Sequence, residues 1–153
     1  MSVQYINPLL ESTVAVLRTM AFVDITSGKP TVKDTNRTVG DVTGTIELKG
    51  PNVDGWLAVS FVQSTILDIV NNMLGENPDG IDDTVVDLVG EITNMITGNA
   101  KRLYSEQGMD IGLSRPTVII GNDRELPGSE PGRSIVLPFF TSVGQMSVEF
   151  CFH

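Results

Sequence analysis

The stretch Asp83-Thr-Val-Val-Asp87-Leu-Val-Gly-Glu91-Ile-Thr-Asn94-Met-Ile-Thr-Gly98-Asn99-Ala100-Lys101-Arg102-Leu-Tyr-Ser-Glu-Gln107 decides how this chain is read. Its apolar residues Val85, Leu88, Val89, Ile92, Met95, Ile96, Ala100 and Leu103 recur every three or four positions, which places them on one face of an α-helix. Asp82 and Asp83 stand at the start, where the positive end of a helix dipole favours carboxylates. Lys101 and Arg102 lie toward the negative end, and Gly108 follows. A helix over residues 83–107 runs on the order of 35 Å.

Upstream, the period changes. Val42, Gly44, Ile46 and Leu48 alternate with Thr43, Thr45 and Glu47, which predicts a half-buried strand. The turn residues Lys49-Gly50-Pro51-Asn52 join it to a second strand over 56–62, making a hairpin. Ser64 reads as the N-cap of a short helix ending at Gly75, with Ile66, Ile69, Val70, Met73 and Leu74 turned inward. The first 22 residues predict another helix, on Ile6, Leu9, Leu10, Thr13, Val16, Leu17 and Met20. Because Pro8 is tolerated in a first turn, Asn7 is the expected cap.

Downstream, residues 116–120, 134–140 and 144–152 read as strands, and 127–132 as a loop. Local hairpins favour antiparallel pairing. The expected fold is therefore α+β: an antiparallel β-sheet with helices, one of them long, packed on one face. No linker divides the chain, so residues 1–153 are read as a single domain.

Composition narrows the function. A chain of 153 residues, 41% hydrophobic and 19% charged, can build a core and is too apolar for gross disorder. Ten Lys and Arg against 19 Asp and Glu leave a net charge of −9, which argues against a nucleic-acid partner. Cys151 has no second cysteine, and His153 is the only histidine, so neither a tetrahedral zinc site nor a Ser/His/Asp triad can be assembled. No apolar run reaches the roughly 18 residues of a membrane span. Residues 1–5 carry no basic cluster of the kind that opens a signal peptide. The cytoplasm is the expected location, with no membrane partner. Cys151, Met20, Met73, Met95, Trp56 and the phenylalanines read as packed residues.

The polar side of the long helix is organised. With Asp87 at the origin and about 100° per residue, Glu91 falls at about 40°, Asn94 at about −20° and Lys101 at about −40°. These residues form one ladder, away from most of the apolar set. A ladder of charged and amide side chains on an outer helical face needs no function in itself. Asn94 is the odd member, because asparagine is a poor mid-helix residue. Each helix-interior glycine costs about 1 kcal/mol relative to alanine. Gly90 and Gly98 therefore predict close approach by another backbone, from the sheet beneath or a partner above.

The run Asp87-Leu-Val-Gly-Glu91-Ile-Thr-Asn94-Met-Ile-Thr-Gly98-Asn99-Ala100-Lys101 resembles the signature helix of the CheC/CheX/FliY chemotaxis phosphatases. In that pattern an Asp or Ser is followed by Glu, then Asn, then a Pro about 22 residues on; here Pro116 follows Asn94 with 21 residues between. The opening stretch Ile6-Asn7-Pro8-Leu9-Leu10-Glu11-Ser12-Thr13 is similar to the first helix of CheX-type members, so the resemblance spans essentially the whole chain. CheC-like chains carry the signature helix twice, and CheX-like chains keep one active copy. At matching positions the first helix has Asn7, Glu11 and Val14; it lacks the amide and is expected to be inactive.

The resemblance implies a CheC-like fold, a single CheX-like phosphatase domain over residues 1–153, and removal of the phosphoryl group from the aspartate of a phosphorylated CheY-like response regulator. Asn94 would enter the receiver's active site and align the attacking water. Glu91 would be the second catalytic residue, docking at the receiver's Lys. Asp87, Gly98 and Lys101 would contact the partner, and Pro116 would shape the neighbouring strand entrance. No cofactor of its own is implied; Mg²⁺ belongs to the phosphorylated receiver. A homodimer is implied as well. An unpaired edge on the apolar strands at 134–140 or 144–152 would be a liability that twofold pairing could cover.

Two other readings stay open at this level. Flagellar-switch relatives use related domains as non-enzymatic binding modules, and activity on a phosphorylated receiver separates the two. Asp82, Asp83, Asp87 and Glu91 could offer carboxylates to a metal. Asp82 and Asp83 read first as helix-capping residues, however, and no Gly-rich calcium loop accompanies them.

Overall fold

A computed structural model describes residues 3–51, 54–126 and 133–152; the expected loop at 127–132, the last residue of the turn at Asn52, and His153 lie outside the described residues. Along the chain run α1 (Val3–Met20), β1 (Thr26–Ser27), β2 (Thr31–Lys33), β3 (Val42–Lys49), β4 (Asp54–Phe61), α2 (Gln63–Leu74), α3 (Asp83–Glu106), β5 (Gly112–Leu113), β6 (Thr117–Ile120), β7 (Ser134–Phe140) and β8 (Gln145–Phe152). The strands form one sheet in the order β1-β7-β8-β4-β3-β5, with β2 also on β7 and β6 also on β3. The pairings are antiparallel throughout. The predicted hairpin of β3 and β4 runs in unbroken register from Val42↔Phe61 to Lys49↔Asp54.

One face of the sheet carries the helices. Ile46 of β3, Leu57 and Phe61 of β4, Leu137 and Phe139 of β7 and Phe150 of β8 meet Leu9 and Leu17 of α1, Ile66 and Ile69 of α2, and the apolar stripe of α3. Burying a Val, Leu or Ile side chain contributes about 1.5–3 kcal/mol. Val85, Leu88, Val89, Ile92 and Ile96 are all buried, so their gain exceeds the cost of two glycines in the same helix.

The opposite face is covered as well, which the alternation at 42–48 does not predict. Residues 42–46 of β3 are buried on both faces. Trp56, Ala58 and Leu126 form a small second cluster there. Thr43 Oγ1 and Ser60 Oγ lie 2.9 Å apart. Glu149 is only 1% exposed; Lys33 Nζ lies 2.7 Å from its Oε2, and Ser134 Oγ donates to the same oxygen at 2.6 Å. Alternating hydroxyl residues imply solvent only when their hydrogen bonds are not met inside.

The N-caps predicted for the first two helices are corrected. α1 begins at Val3, so Pro8 lies inside it and Asn7 is not its cap. Pro8 has no N–H to give to the carbonyl four residues earlier. Core packing of Leu9, Val16 and Leu17 offsets that loss, as does Tyr104 Oη donating to the Tyr5 carbonyl at 2.6 Å. Burial pushes the Tyr104 hydroxyl well above its ordinary pKa, which keeps it a donor. In α2 the N-cap is Val62, without a side-chain cap, and Ser64 Oγ donates instead to the Val143 carbonyl at 2.8 Å. The Gln63 N–H is taken by Asp41 Oδ2 at 2.7 Å, a carboxylate from the strand side of the sheet. Gly75 closes α2 at φ 69°, as expected.

Further expectations change with packing. Met20 (47% exposed), Phe22 (75%) and Phe140 (43%) are not core residues, and Leu74 is turned outward. β8 lies inside the sheet and β1 and β2 pair with β7, so these short strands, within the chain itself, cover much of the edge whose exposure would have been a liability. Among the described residues no helix is long and apolar enough to cross a membrane.

Candidate active site

α3 is fixed before it presents anything. Asp82 is its N-cap, its Oδ1 accepting from the Val85 N–H at 3.0 Å. Beyond its C-terminal end Gly108 adopts φ 83°. Thr93 and Thr97 face inward, buried, and donate to the carbonyls of Val89 and Thr93 at 2.7 and 2.8 Å. The close approach of another backbone occurs at neither glycine of the helix. The tight contact is instead at Gly44 of β3, whose backbone meets the Thr93 side chain, so that an added Cβ would clash with Thr93 Oγ1. A Cβ on Gly90 would meet Val118 Cγ2 and Pro116 Cγ at 3.7 and 4.0 Å, ordinary contacts, and one on Gly98 would meet nothing within 4 Å.

On the outer side Asp87, Glu91, Asn94, Gly98 and Lys101 are all exposed, one above another along α3. Asp87 and Glu91 wall a cleft of about 220 Å³ with Leu74, Thr84 and Leu88. Asn94 and Gly98 wall a second groove, of about 520 Å³, shared with α1. Lys101 lines neither. Pro116 sits on the other flank, beside Gly90 and directly ahead of β6. Sequence reasoning thus gathers these residues on one outer edge but misses that the edge borders two hollows.

It also misses Asn99. Its Nδ2 donates to the buried Ser12 Oγ at 2.9 Å, and its Oδ1 accepts from Arg102 at 3.1 Å. Arg102 in turn reaches Glu106 at 3.1 Å. The available signal was the wheel position: Asn99 lies at about 120° from Asp87, where polar and apolar faces meet and a neighbouring helix can pack.

Residues 42–140 match the family model for the chemotaxis phosphatase CheX. The chain belongs to the CheX family. It is 24% identical over 127 residues, 82% of this chain and 81% of the other, to the CheY-P phosphatase CheX of Thermotoga maritima. It is similar along its whole length to a CheC-like superfamily protein from Shewanella sp. PV-4, at 42% identity and a TM-score of 0.91, covering 100% of this chain and 99% of that one. It also resembles the chain in the CheX–CheY–BeF3–Mg²⁺ complex from Borrelia burgdorferi, at 25% identity and a TM-score of 0.80, covering 99% of each.

Within this CheX fold the polar groups of α3 divide into two sets. Asp82, Asn99, Arg102 and Glu106 are engaged by neighbours. The side chains of Asp87, Glu91, Asn94 and Lys101 have no hydrogen bond or ion pair among the described residues; Asn94 takes part only through its backbone carbonyl, which accepts from Thr97. Among the described residues no group of three or more His, Cys, Asp or Glu side chains could hold a metal ion, and Asp82 is spent on its cap. Cys151 is half-buried, and burial together with the Glu149 charge raises its thiol pKa, which disfavours a thiolate nucleophile.

Proposed function

We propose that the edge of α3 bearing Glu91 and Asn94 is the catalytic edge of a phosphatase that removes the phosphoryl group from the aspartate of a CheY-like response regulator. The observation that carries this reading is the Asn94 carboxamide: exposed, without a hydrogen-bond partner among the described residues, and mounted on a helix pinned to the sheet one residue earlier by Thr93.

The chemistry asks little of such an edge. A water oxygen attacks phosphorus, the bond from phosphorus to the aspartyl oxygen breaks, inorganic phosphate leaves and the aspartate carboxylate is restored. An acyl phosphate is already reactive, and a receiver brings its own Mg²⁺ and Lys; the relative from Borrelia burgdorferi was crystallised with CheY, BeF3 and Mg²⁺. What is missing is a water held in line, and positioning is where a large rate factor is available. A carboxamide can accept and donate hydrogen bonds to that water. It adds no negative charge against the phosphoryl oxygens, as a carboxylate would.

Glu91, about one turn earlier, docks as a carboxylate against the receiver's Lys. Asp87, Gly98 and Lys101 extend the contact along the same edge, and Pro116 supports its flank. A single CheX-like domain over 1–153, a cytoplasmic location and a homodimer complete the reading, supported by family resemblance rather than by a bare sheet edge. A monomer in sedimentation at micromolar concentration would count against the dimer.

The test is phosphate release from phosphorylated CheY-like receivers, wild type beside Asn94→Ala. Loss of water positioning lowers the rate on the order of 10²-fold, about 2.7 kcal/mol. An unchanged rate rejects the assignment of Asn94. Receiver binding without any phosphate release by the wild type establishes the binding-module reading instead.

A further inference from the structure

The groove between α1 and α3 has no part in the chemistry assigned to Asn94, yet Asn94 lines it. Ala15 and Met20 stand on the α1 wall, and Met95 and Gly98 on the α3 wall. The groove is a shallow hollow of about 520 Å³, open to solvent along its length. Met20 is 47% exposed and Met95 half-buried, so thioether side chains face the hollow from both helices. Such side chains are unbranched and polarisable and adapt to an apolar partner.

Gly98 separates this hollow from an accident of packing. Gly44 is bare because Thr93 occupies the space a side chain would need. Gly98 is bare although a Cβ there would meet nothing within 4 Å. Nothing in the described fold uses the space that this glycine leaves, and its presence costs α3 about 1 kcal/mol relative to alanine. Asn99, the next residue, holds α1 at its distance through Ser12, so the groove has a fixed width.

We propose that this groove seats an apolar side chain of the phosphorylated receiver, from the segment beside its acyl phosphate, and so selects which receiver is dephosphorylated. The proposal rests on the phosphatase reading above. The occupant follows from continuity: a receiver whose phosphoryl group lies against Asn94 also covers the groove that Asn94 lines, and Ala15, Val16, Met20 and Met95 give it apolar wall there, beside the open position at Gly98 and a polar rim of Thr19, Asn99 and Arg102.

Gly98→Leu tests it. The Cβ of leucine meets no neighbour, its outer carbons extend into the groove, and leucine favours the helix, so the melting temperature should stay level or rise. With a CheY-like receiver phosphorylated by acetyl phosphate, KM should rise about tenfold, with the loss falling on KM rather than kcat. Affinity for the same receiver carrying beryllofluoride and Mg²⁺ should weaken by a similar factor. Gly98→Ala, which adds a single carbon, should give a smaller rise in KM and serves if the leucine variant fails to fold. A folded Gly98→Leu protein with KM and affinity within twofold of wild type overturns the groove and leaves the phosphatase reading intact. A variant whose sedimentation changes while KM does not assigns the groove to a second copy, and also overturns it. A wild type that releases no phosphate overturns the phosphatase reading, and the groove falls with it.

Discussion

Gly44 of β3 and Thr93 of α3 touch so closely that the missing Cβ of the glycine would stand 2.0 Å from the threonine Oγ1. Thr93 immediately precedes Asn94, so this contact sets how high this part of α3 rides above the sheet. Gly44→Ala forces the helix or the strand to move. Overpacking of this kind costs about 1–3 kcal/mol. In a chain of this size that lowers the melting temperature by roughly 2–4 °C per kcal/mol. Calorimetry on Gly44→Ala beside Gly44→Ala/Thr93→Ala checks it: the double variant should lose less than the sum of the singles. An unchanged melting temperature in the single variant contradicts the contact.

Glu91 is exposed and engages no neighbour among the described residues, so its removal should leave stability within about 0.5 kcal/mol. Glu91→Ala should lower kcat/KM for a phosphorylated receiver on the order of tenfold, about 1.4 kcal/mol. Binding to a beryllofluoride-loaded receiver should lose part of its salt dependence. Normal turnover and normal salt dependence would make Glu91 an ordinary surface residue.

Asn99 ties α1 to α3 through the buried Ser12 hydroxyl. Asn99→Ala leaves that hydroxyl without this partner, at a cost of about 1–3 kcal/mol in urea unfolding. Asn99→Asp keeps an acceptor that Ser12 and Arg102 can both donate to, and should lose less. Equal stability in the two variants would show that the Ser12 bond contributes nothing.

Glu149 lies buried on the outer face with Lys33 and Ser134 as its partners. Lys33→Met strands a buried carboxylate, and breaking such a pair from one side costs about 3–5 kcal/mol. Replacing both members, Lys33→Met/Glu149→Met, should recover much of the loss. Denaturant unfolding in which the double variant is no better than the single would remove the pair from the account of stability.

The long helix was legible because every signal for it is local: the Asp82 cap, the apolar period from Val85 to Ile96, and Gly108 beyond its end. The strands at 42–49, 54–61, 134–140 and 145–152 were legible for the same reason. What was misread depends on partners far along the chain. The carboxylate at the start of α2 lies 22 residues from the N–H it accepts, Asn99 lies 87 from Ser12, and Lys33 lies 116 from Glu149. No periodicity within a window of a dozen residues reaches such pairs. β1, β2 and β5, two or three residues each, exist only because a longer strand offers them an edge.

The sequence by itself determined the outer ladder of α3, because the pitch of an α-helix leaves no freedom in where Asp87, Glu91 and Asn94 fall once the apolar stripe is buried. Only the tertiary structure decided which glycine is needed for close packing and which leaves open space. That is a question of which atoms from elsewhere in the chain arrive beside it: at Gly44 the side chain of Thr93 arrives, and at Gly98 no atom comes within 4 Å of where a Cβ would stand.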